Sequence, residues 1–229
     1  MNKVIYTAII GDYDDLKIPK FIPDGFDFVC FTTSDVKSDF WDVRKVTSLY
    51  EDNTRTARKY KVLPHRYLSE YDISIWLDGN QYVVGDYNDI INRDMVNVNM
   101  VCYDHNECRL DPRKCIYEEA YAILLAGKNH PQQKYKDNPQ VITDQMIRYQ
   151  EEKYPQNNGL IVSGVMLRRH NEKDVINTME MWWEEIKYGS RRDQLSFNYC
   201  AWKSGLNFVY LKGDIRDDGY TLETRHKNR

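Results

Sequence analysis

No apolar run in this sequence approaches the length of a membrane span, and Met1-Asn2-Lys3-Val4-Ile5-Tyr6 leads straight into a strand pattern with no signal-type hydrophobic region. A soluble chain in a cytoplasmic setting is therefore expected. An excess of one charge is also missing. With 32 Lys and Arg against 35 Asp and Glu, the formal net charge of -3 gives no general pull toward nucleic acid or an anionic membrane. Neither nucleic acid nor a membrane span belongs to the expected partners. Cysteine is scarce and odd in number, five in 229 residues, which reads as reduced thiols rather than a disulfide framework. Repeats and low-complexity linkers are absent, so residues 1–229 are expected to form one domain. What is abundant is tyrosine: 18 of them, with five tryptophans, suit a protein that presents aromatic faces to bases or sugar rings, and also an ordinary amphipathic core.

The most informative stretch is Tyr71-Asp72-Ile73-Ser74-Ile75-Trp76-Leu77-Asp78-Gly79-Asn80. Ile73 to Leu77 is a short apolar run rich in β-branched and aromatic side chains, a buried strand by pattern. It stops at an acid, a glycine and an amide, where the chain must turn. In an open α/β sheet, the carboxyl ends of the strands are where ligands collect. Asp78 and Asn80 both offer oxygen to a hard cation, and Gly79 lets the backbone bring them to one point. A simple Asx-type turn accounts for the same three residues.

The rest of the chain supplies the context. Lys3 to Ile10 reads as a first buried strand, ended by Gly11-Asp12-Tyr13-Asp14-Asp15. Thr7 and Ala8 at its end, and Asp12 and Tyr13 after it, are candidates for contact with a base or ribose; an acidic turn is the plainer account. Phe26 to Thr32 reads as a second strand. Thr54 to Ser69 is helical by pattern, capped by Asn53 or Thr54, and carries Arg55, Arg58, Lys59 and Lys61. Arg55 and Arg58 lie three apart on one face and could hold a diphosphate, or simply form a solvated face. Asp86 to Arg93 resembles a short helix, and Val96 to Cys102 another strand.

Cys102, His105, Cys108 and Cys115 offer four possible zinc ligands but lack the paired Cys-x2-Cys knuckles of structural sites, which favours free thiols and a loop histidine. Ile116 to Gly127 and Val141 to Lys153 read as helices around a polar excursion at residues 128–139. Gly159 to Arg168 is an apolar strand in which Gly164 permits close approach of a backbone or ligand. Asp174 to Tyr188 is a long helix ended by Gly189. Ser190 is the expected cap of a following helix beginning Arg191-Arg192-Asp193-Gln194. Asp193 is a good helix-start residue and equally a carboxylate able to meet a hydroxyl. Asn207 to Leu211 is a last strand before the charged tail Arg225-His226-Lys227-Asn228-Arg229.

In this order the stretches resemble the GT-A class of nucleotide-sugar glycosyltransferases: a first strand meeting the nucleotide, an Arg-bearing helix, then a strand ending in Asp-x-Asp or a variant. Ser163-Gly164-Val165-Met166-Leu167 and Asp193-Gln194 are similar to blocks of glycogenin-like transferases. A closer resemblance, across essentially the whole chain, is to a glycosyltransferase-like family best known from plants and long catalogued as a domain of unknown function. Gly11-Asp12-Tyr13-Asp14, Ser74-Ile75-Trp76-Leu77-Asp78-Gly79-Asn80, Cys115-Ile116-Tyr117-Glu118-Glu119, Leu167-Arg168-Arg169-His170-Asn171, Arg191-Arg192-Asp193-Gln194-Leu195-Ser196-Phe197 and Arg225-His226 carry it.

The resemblance implies a GT-A, Rossmann-like α/β domain with a central, mainly parallel mixed sheet flanked by helices. Its nucleotide-binding half would be about residues 1–105 and its acceptor-side half about 106–229. It implies transfer from a nucleoside-diphosphate sugar, a UDP-sugar first, to a hydroxyl of a glycan or glycoconjugate, with Mn2+ or Mg2+ on Asp78, Asn80 and His226. Thr7, Ala8, Asp12, Tyr13, Arg55, Arg58, Asp78, Gly79, Asn80 and Gly164 would line the donor, and Gln194 the acceptor. Asp193 would be general base in an inverting enzyme, or would bind hydroxyls in a retaining one. Asn80 departs from the usual second aspartate, and as a neutral ligand would hold a metal less tightly or touch the sugar instead. Two other classes remain open: a hydrolase of a lipid or amide using zinc at His105 and its cysteines, and a carbohydrate-binding protein without turnover.

Overall fold

The computed structural model describes residues 1–48 and 50–227, so the last two residues of the charged tail, Asn228 and Arg229, lie outside the described part. Strands β1 (Lys3–Ile9), β2 (Phe26–Thr32), β3 (Asp42–Lys45), β4 (Ile73–Leu77), β6 (Met100–Asp104), β7 (Ile161–Arg168) and β8 (Val209–Leu211) form one sheet, and β5 (Gln81–Val83) pairs with β9 (Thr221–Glu223) in a two-stranded ribbon. The large sheet runs β3-β2-β1-β4-β7-β6-β8, with β7 antiparallel to both neighbours and the other pairings parallel. This is the expected single α/β domain with a mixed, mainly parallel sheet of GT-A, Rossmann-like type.

Alternation along each strand divides the core into two faces. Val4, Tyr6, Val29, Phe31, Trp76, Met100 and Met166 meet helices α1 (Asn53–Val62), α4 (Ile116–Asn129), α5 (Pro139–Glu151), α6 (Lys173–Tyr188) and α7 (Gln194–Ser204). Ile5, Ile9, Phe28, Ile75, Leu77, Val101 and Leu167 meet helix α3 (Tyr87–Asp94), Trp41 and the ribbon. Burial on both faces explains why β1 and β4 read as near-continuous apolar runs.

Three elements differ locally from the pattern. The helix expected from Thr54 to Ser69 breaks at Leu63 into α1 and a short α2 (Pro64–Tyr67), because a residue before proline is driven out of the helical region; Leu63 sits at φ -112, ψ 50. Its cap is Asp52, whose side chain accepts from the Thr54 amide. The strand expected at Val96 to Cys102 begins only at Met100. Ser190 does not cap α7 directly: its hydroxyl accepts from the Arg192 amide and donates to Asp137, and the helix starts at Gln194.

Candidate active site

Helix α1 ends beside the carboxyl end of β4, and its last turn carries Lys61, whose side chain is fully buried. A cation is favoured at a helix C-terminus, but complete burial of an ammonium requires anions. Two are present. Lys61 Nζ lies 2.7 Å from Asp193 Oδ2 and 3.1 Å from Asp78 Oδ1, and donates to Ser163 Oγ at 3.2 Å. Ser163 in turn donates to Asp193 Oδ2 at 3.0 Å. One turn earlier on the same helix face, Arg58 reaches Asp193 at 3.4 Å and Asp78 at 3.8 Å. Trp76 Nε1 completes the set with a 2.7 Å hydrogen bond to Asp78 Oδ1.

β4, α1, β7 and the start of α7 thus deliver two carboxylates and two cations to one place at the sheet's carboxyl edge. Asp193 is 1% exposed, although it heads a helix; its carboxylate engages the cluster and not the helix amides. Burial alone would raise its pKa, yet the charges of Arg58 and Lys61 hold it well below the usual carboxylate range. Burial opposes the charge on Arg58 as well, and Asp193 and Asp78 outweigh it. Lys61 is lowered by burial and by Arg58, against the pull of the two acids.

Beneath this cluster lies Arg168, fully buried and placed to hold the carbonyl of Lys61 from Nη2 at 2.9 Å, beside Tyr6 Oη, which donates to the same carbonyl at 2.8 Å. Above it the loops converge. Gly79 packs so closely on the β1–β2 loop that a Cβ there would sit 3.2 Å from Asp14 Oδ2 and 3.5 Å from Ile9 Cγ1. A Cβ at Gly164 would stand 3.0 Å from Ile215 Cδ1 and 3.7 Å from Asp78 Oδ2. β1 outruns β4: their register ends at Tyr6 with Trp76, so the β4-facing edge of Thr7 to Ile9 has no ladder partner among the described residues. Thr7 Oγ1 is buried there without a hydrogen bond.

The C-terminal tail returns over these loops. Asn80 Nδ2 donates to Thr224 O at 2.7 Å, and the Thr224 amide and hydroxyl both donate back to Asn80 O. His226 Nδ1 pairs with Asp14 Oδ2 at 2.7 Å and its ring lies 4.9 Å from that of Tyr13.

A family model described as "TOD1/MUCI70, glycosyltransferase-like domain" matches residues 31–211, well over half of the chain. The chain belongs to this family. The match spans α1, Asp78, Ser163, Gly164 and Asp193, so the charged cluster lies wholly inside the TOD1/MUCI70 glycosyltransferase-like domain. No curated protein matches the sequence. Among solved structures, the domain is similar to apo WbbM, a bifunctional glycosyltransferase (TM-score 0.48, 8% identity, 92% of this chain). It spans only 38% of the WbbM chain. A glycosyltransferase involved in glycosylating the major capsid of PBCV-1 gives 0.48 at 9% identity, covering 97% of this chain and 92% of that one. Apo mouse xyloside xylosyltransferase 1 gives 0.47 at 10% identity, covering 92% and 84%.

The domain brings Arg58, Asp78, Gly164 and Asp193 together, with Gly79 and Asn80 on the adjoining turn. Arg55 is not among them: its guanidinium holds the carbonyls of Ile186 and Gly189 and the Asp52 carboxylate. Gln194 donates its side-chain amide to Ile161 O at 2.9 Å. Asp12 and Tyr13 are exposed on the β1–β2 loop, Asp12 at a positive φ of 54. Lys61, Ser163, Trp76 and Asp14 were missed as site residues. Lys61 sits three residues after Arg58, and that spacing alone could have paired them. The cysteines do not gather with His105; all five thiols are free and buried, and His105 faces Arg113. Among the described residues no three His, Cys, Asp or Glu side chains form a metal-holding group.

The donor chemistry nevertheless suits a hard divalent ion. Both hydrogen bonds to Asp78 reach Oδ1, which leaves Oδ2 free of them among the described residues. Asn80 engages its nitrogen and keeps its oxygen, and His226 uses Nδ1 and keeps Nε2.

Proposed function

We propose that this chain is a glycosyltransferase that takes a hexosyl or deoxyhexosyl group from a nucleoside-diphosphate sugar, a UDP-sugar first, and passes it to a hydroxyl of a glycan or glycoconjugate. The observation that carries this reading is the cluster of Asp78, Lys61, Asp193 and Arg58, in which Lys61 and Asp193 are buried and Asp78 and Arg58 half-buried, at the carboxyl edge of a glycosyltransferase-like domain. Residues 1–105 supply the donor side, through β1, α1 and β4, and residues 106–229 the acceptor side, with Ser163 and Asp193 crossing over to meet the donor.

Lys61 meets its acids by charge-assisted hydrogen bonds, whereas Arg58 only ion-pairs with them and its buried Nε has no hydrogen-bond partner among the described residues, so Arg58 would be available to the donor's diphosphate in a largely shielded site. The free β1 edge at Thr7 and Ala8 and the Tyr13 ring suit a base and ribose. A divalent ion, Mn2+ or Mg2+, would be held by Asp78, Asn80 and His226 and would supply charge neutralisation at the departing diphosphate. Asp193 stays ionised and is already bonded to Lys61 and Ser163. A carboxylate held this far down is a weak proton acceptor, which favours a role in orienting a sugar hydroxyl over that of general base. Under the glycogenin-like resemblance, that role goes with retention of the anomeric configuration.

The test is turnover of a panel of nucleotide sugars, read as nucleotide release with Mn2+, with Mg2+ and with chelator, for the natural chain and for Asp78→Asn and Asp193→Asn. Release from one donor, stimulated by metal and lost in both variants, supports the proposal. No release from any donor, or release indifferent to both substitutions, refutes it.

A further inference from the structure

The β1–β2 loop carries a feature that the proposed reaction does not use. Within five residues it exposes Ile18 (65%), Phe21 (41%) and Ile22 (58%). Exposed apolar clusters on a folded surface mark contact sites for proteins or membranes. This one is held out by design of the backbone. Trp41 Nε1 donates to Lys17 O at 3.0 Å, and the amides of Lys20 and Phe21 both donate to Val83 O, at 2.9 and 3.2 Å. Pro19 and Pro23 fix two further dihedrals. The loop therefore cannot fold its apolar side chains inward without breaking its anchors.

Charge selects the partner. Lys17 and Lys20 flank the apolar residues and gather on one side, their ammonium groups 5.7 and 4.8 Å from the centre of the Tyr82 ring. Lys37 lines the adjoining groove of about 420 Å³ with Leu16, Ile18 and Phe40. Of the nearby acids, Asp15 is bonded to Lys227 at 2.6 Å, Asp39 shares the groove wall with Lys37, and Asp24, exposed two residues beyond Ile22, has the Lys3 ammonium 3.4 Å from its carbonyl. Aliphatic and aromatic side chains projecting between lysines match the boundary between acyl chains and anionic headgroups.

We propose that residues 16–22 form an interfacial loop that seats the protein on an anionic membrane surface, with Ile18, Phe21 and Ile22 entering the headgroup boundary and Lys17 and Lys20 at the level of the phosphates. The loop leaves β1 at the sheet edge that carries Asp78, so this attachment would hold that edge near the membrane. The inference stands apart from the proposed reaction, and its test does not use turnover.

The full chain is to be sedimented with vesicles of phosphatidylcholine alone and of phosphatidylcholine mixed with phosphatidylserine. The proposal expects binding to the mixed vesicles and little to the neutral ones. Ile18→Ser/Phe21→Ser/Ile22→Ser abolishes that binding with an unchanged thermal midpoint, since all three side chains are already exposed. Lys17→Gln/Lys20→Gln weakens it roughly 30-fold, from about fivefold per lysine. Failure of the natural chain to bind the mixed vesicles overturns the proposal, as does full binding by the triple-serine variant. A concentration-dependent dimer in light scattering, lost in that variant without any vesicle binding, would assign the patch to a second copy and overturn it equally.

Discussion

Removing the Lys61 ammonium while keeping its stem, as in Lys61→Met, leaves Asp193 and Asp78 facing each other's surroundings without their nearest cation. Breaking a buried ion pair by deleting one partner costs about 3 to 5 kcal/mol, chiefly because the remaining charge stays desolvated. Here Arg58 remains at 3.4 Å from Asp193 and 3.8 Å from Asp78, and Ser163 still donates to Asp193. The expected loss is therefore at the low end, about 3 kcal/mol, a large share of the stability of an ordinary domain. Urea unfolding measures it as a fall in midpoint at unchanged m-value. Asp193→Asn in the Lys61→Met background removes the uncompensated charge, so the double variant is more stable than the summed losses predict, by on the order of 2 kcal/mol. A Lys61→Met loss under about 1 kcal/mol, with the two substitutions additive to within about 0.5 kcal/mol, would refute the coupled-cluster argument.

Further expectations follow from the same structure. His170 is fully buried, with Nε2 toward Leu68 O, and burial takes its pKa down to about 4. Because the unfolded chain takes up this proton near pH 6.5 and the folded one only near 4, stability is complete above about 6.5. On the order of 3 kcal/mol is lost as pH falls through that window, and unfolding of His170→Gln should lack this slope. Gly159→Ala forces a side chain onto a φ of 81 and a Cβ 2.2 Å from Tyr210 Oη; a loss above about 2 kcal/mol is expected, read as a lowered thermal midpoint. Gly164→Ala meets the side-chain ends of Ile215 and Gln81, at 3.0 and 3.4 Å, and narrows the space beside Asp78, so donor binding should weaken about tenfold for a stability cost of about 1 kcal/mol, measured by titration calorimetry and urea unfolding.

Much of the frame was legible because it is written in local pattern. β1 and β4 are apolar runs closed by Gly11 and Asp78, β2 and β7 are runs that follow Gly25 and Gly159, and each lies within a residue or two of its expected span. Strand β3, Asp-Val-Arg-Lys, and the β5–β9 ribbon were not legible. They are only three or four residues long with no continuous apolar run, and are strands only because β2 and the returning tail offer an edge. At the site, Asp78 and Asp193 announced themselves by position, one ending a strand and the other starting a helix. Lys61 did not, because a lysine in a run of basic helix residues reads as solvated until its acidic partners are known to be 17 and 132 residues away. Arg55 misled for the converse reason: it shares a face with Arg58, but Gly189 and Ile186 at the end of α6 claim it first.

The central claim is that the Asp78, Lys61 and Asp193 cluster is the donor site, and thermal unfolding with nucleoside diphosphates and nucleotide sugars, with and without Mn2+, tests it most directly. A ligand that prefers the folded state raises the unfolding temperature, by about 2.7 kcal/mol of added stability at a hundredfold excess over its Kd. The account predicts a rise with one nucleotide, enlarged by Mn2+ and absent in a folded Asp78→Ala variant. A folded natural chain that none of these ligands shifts, or a shift that survives Asp78→Ala intact, contradicts it.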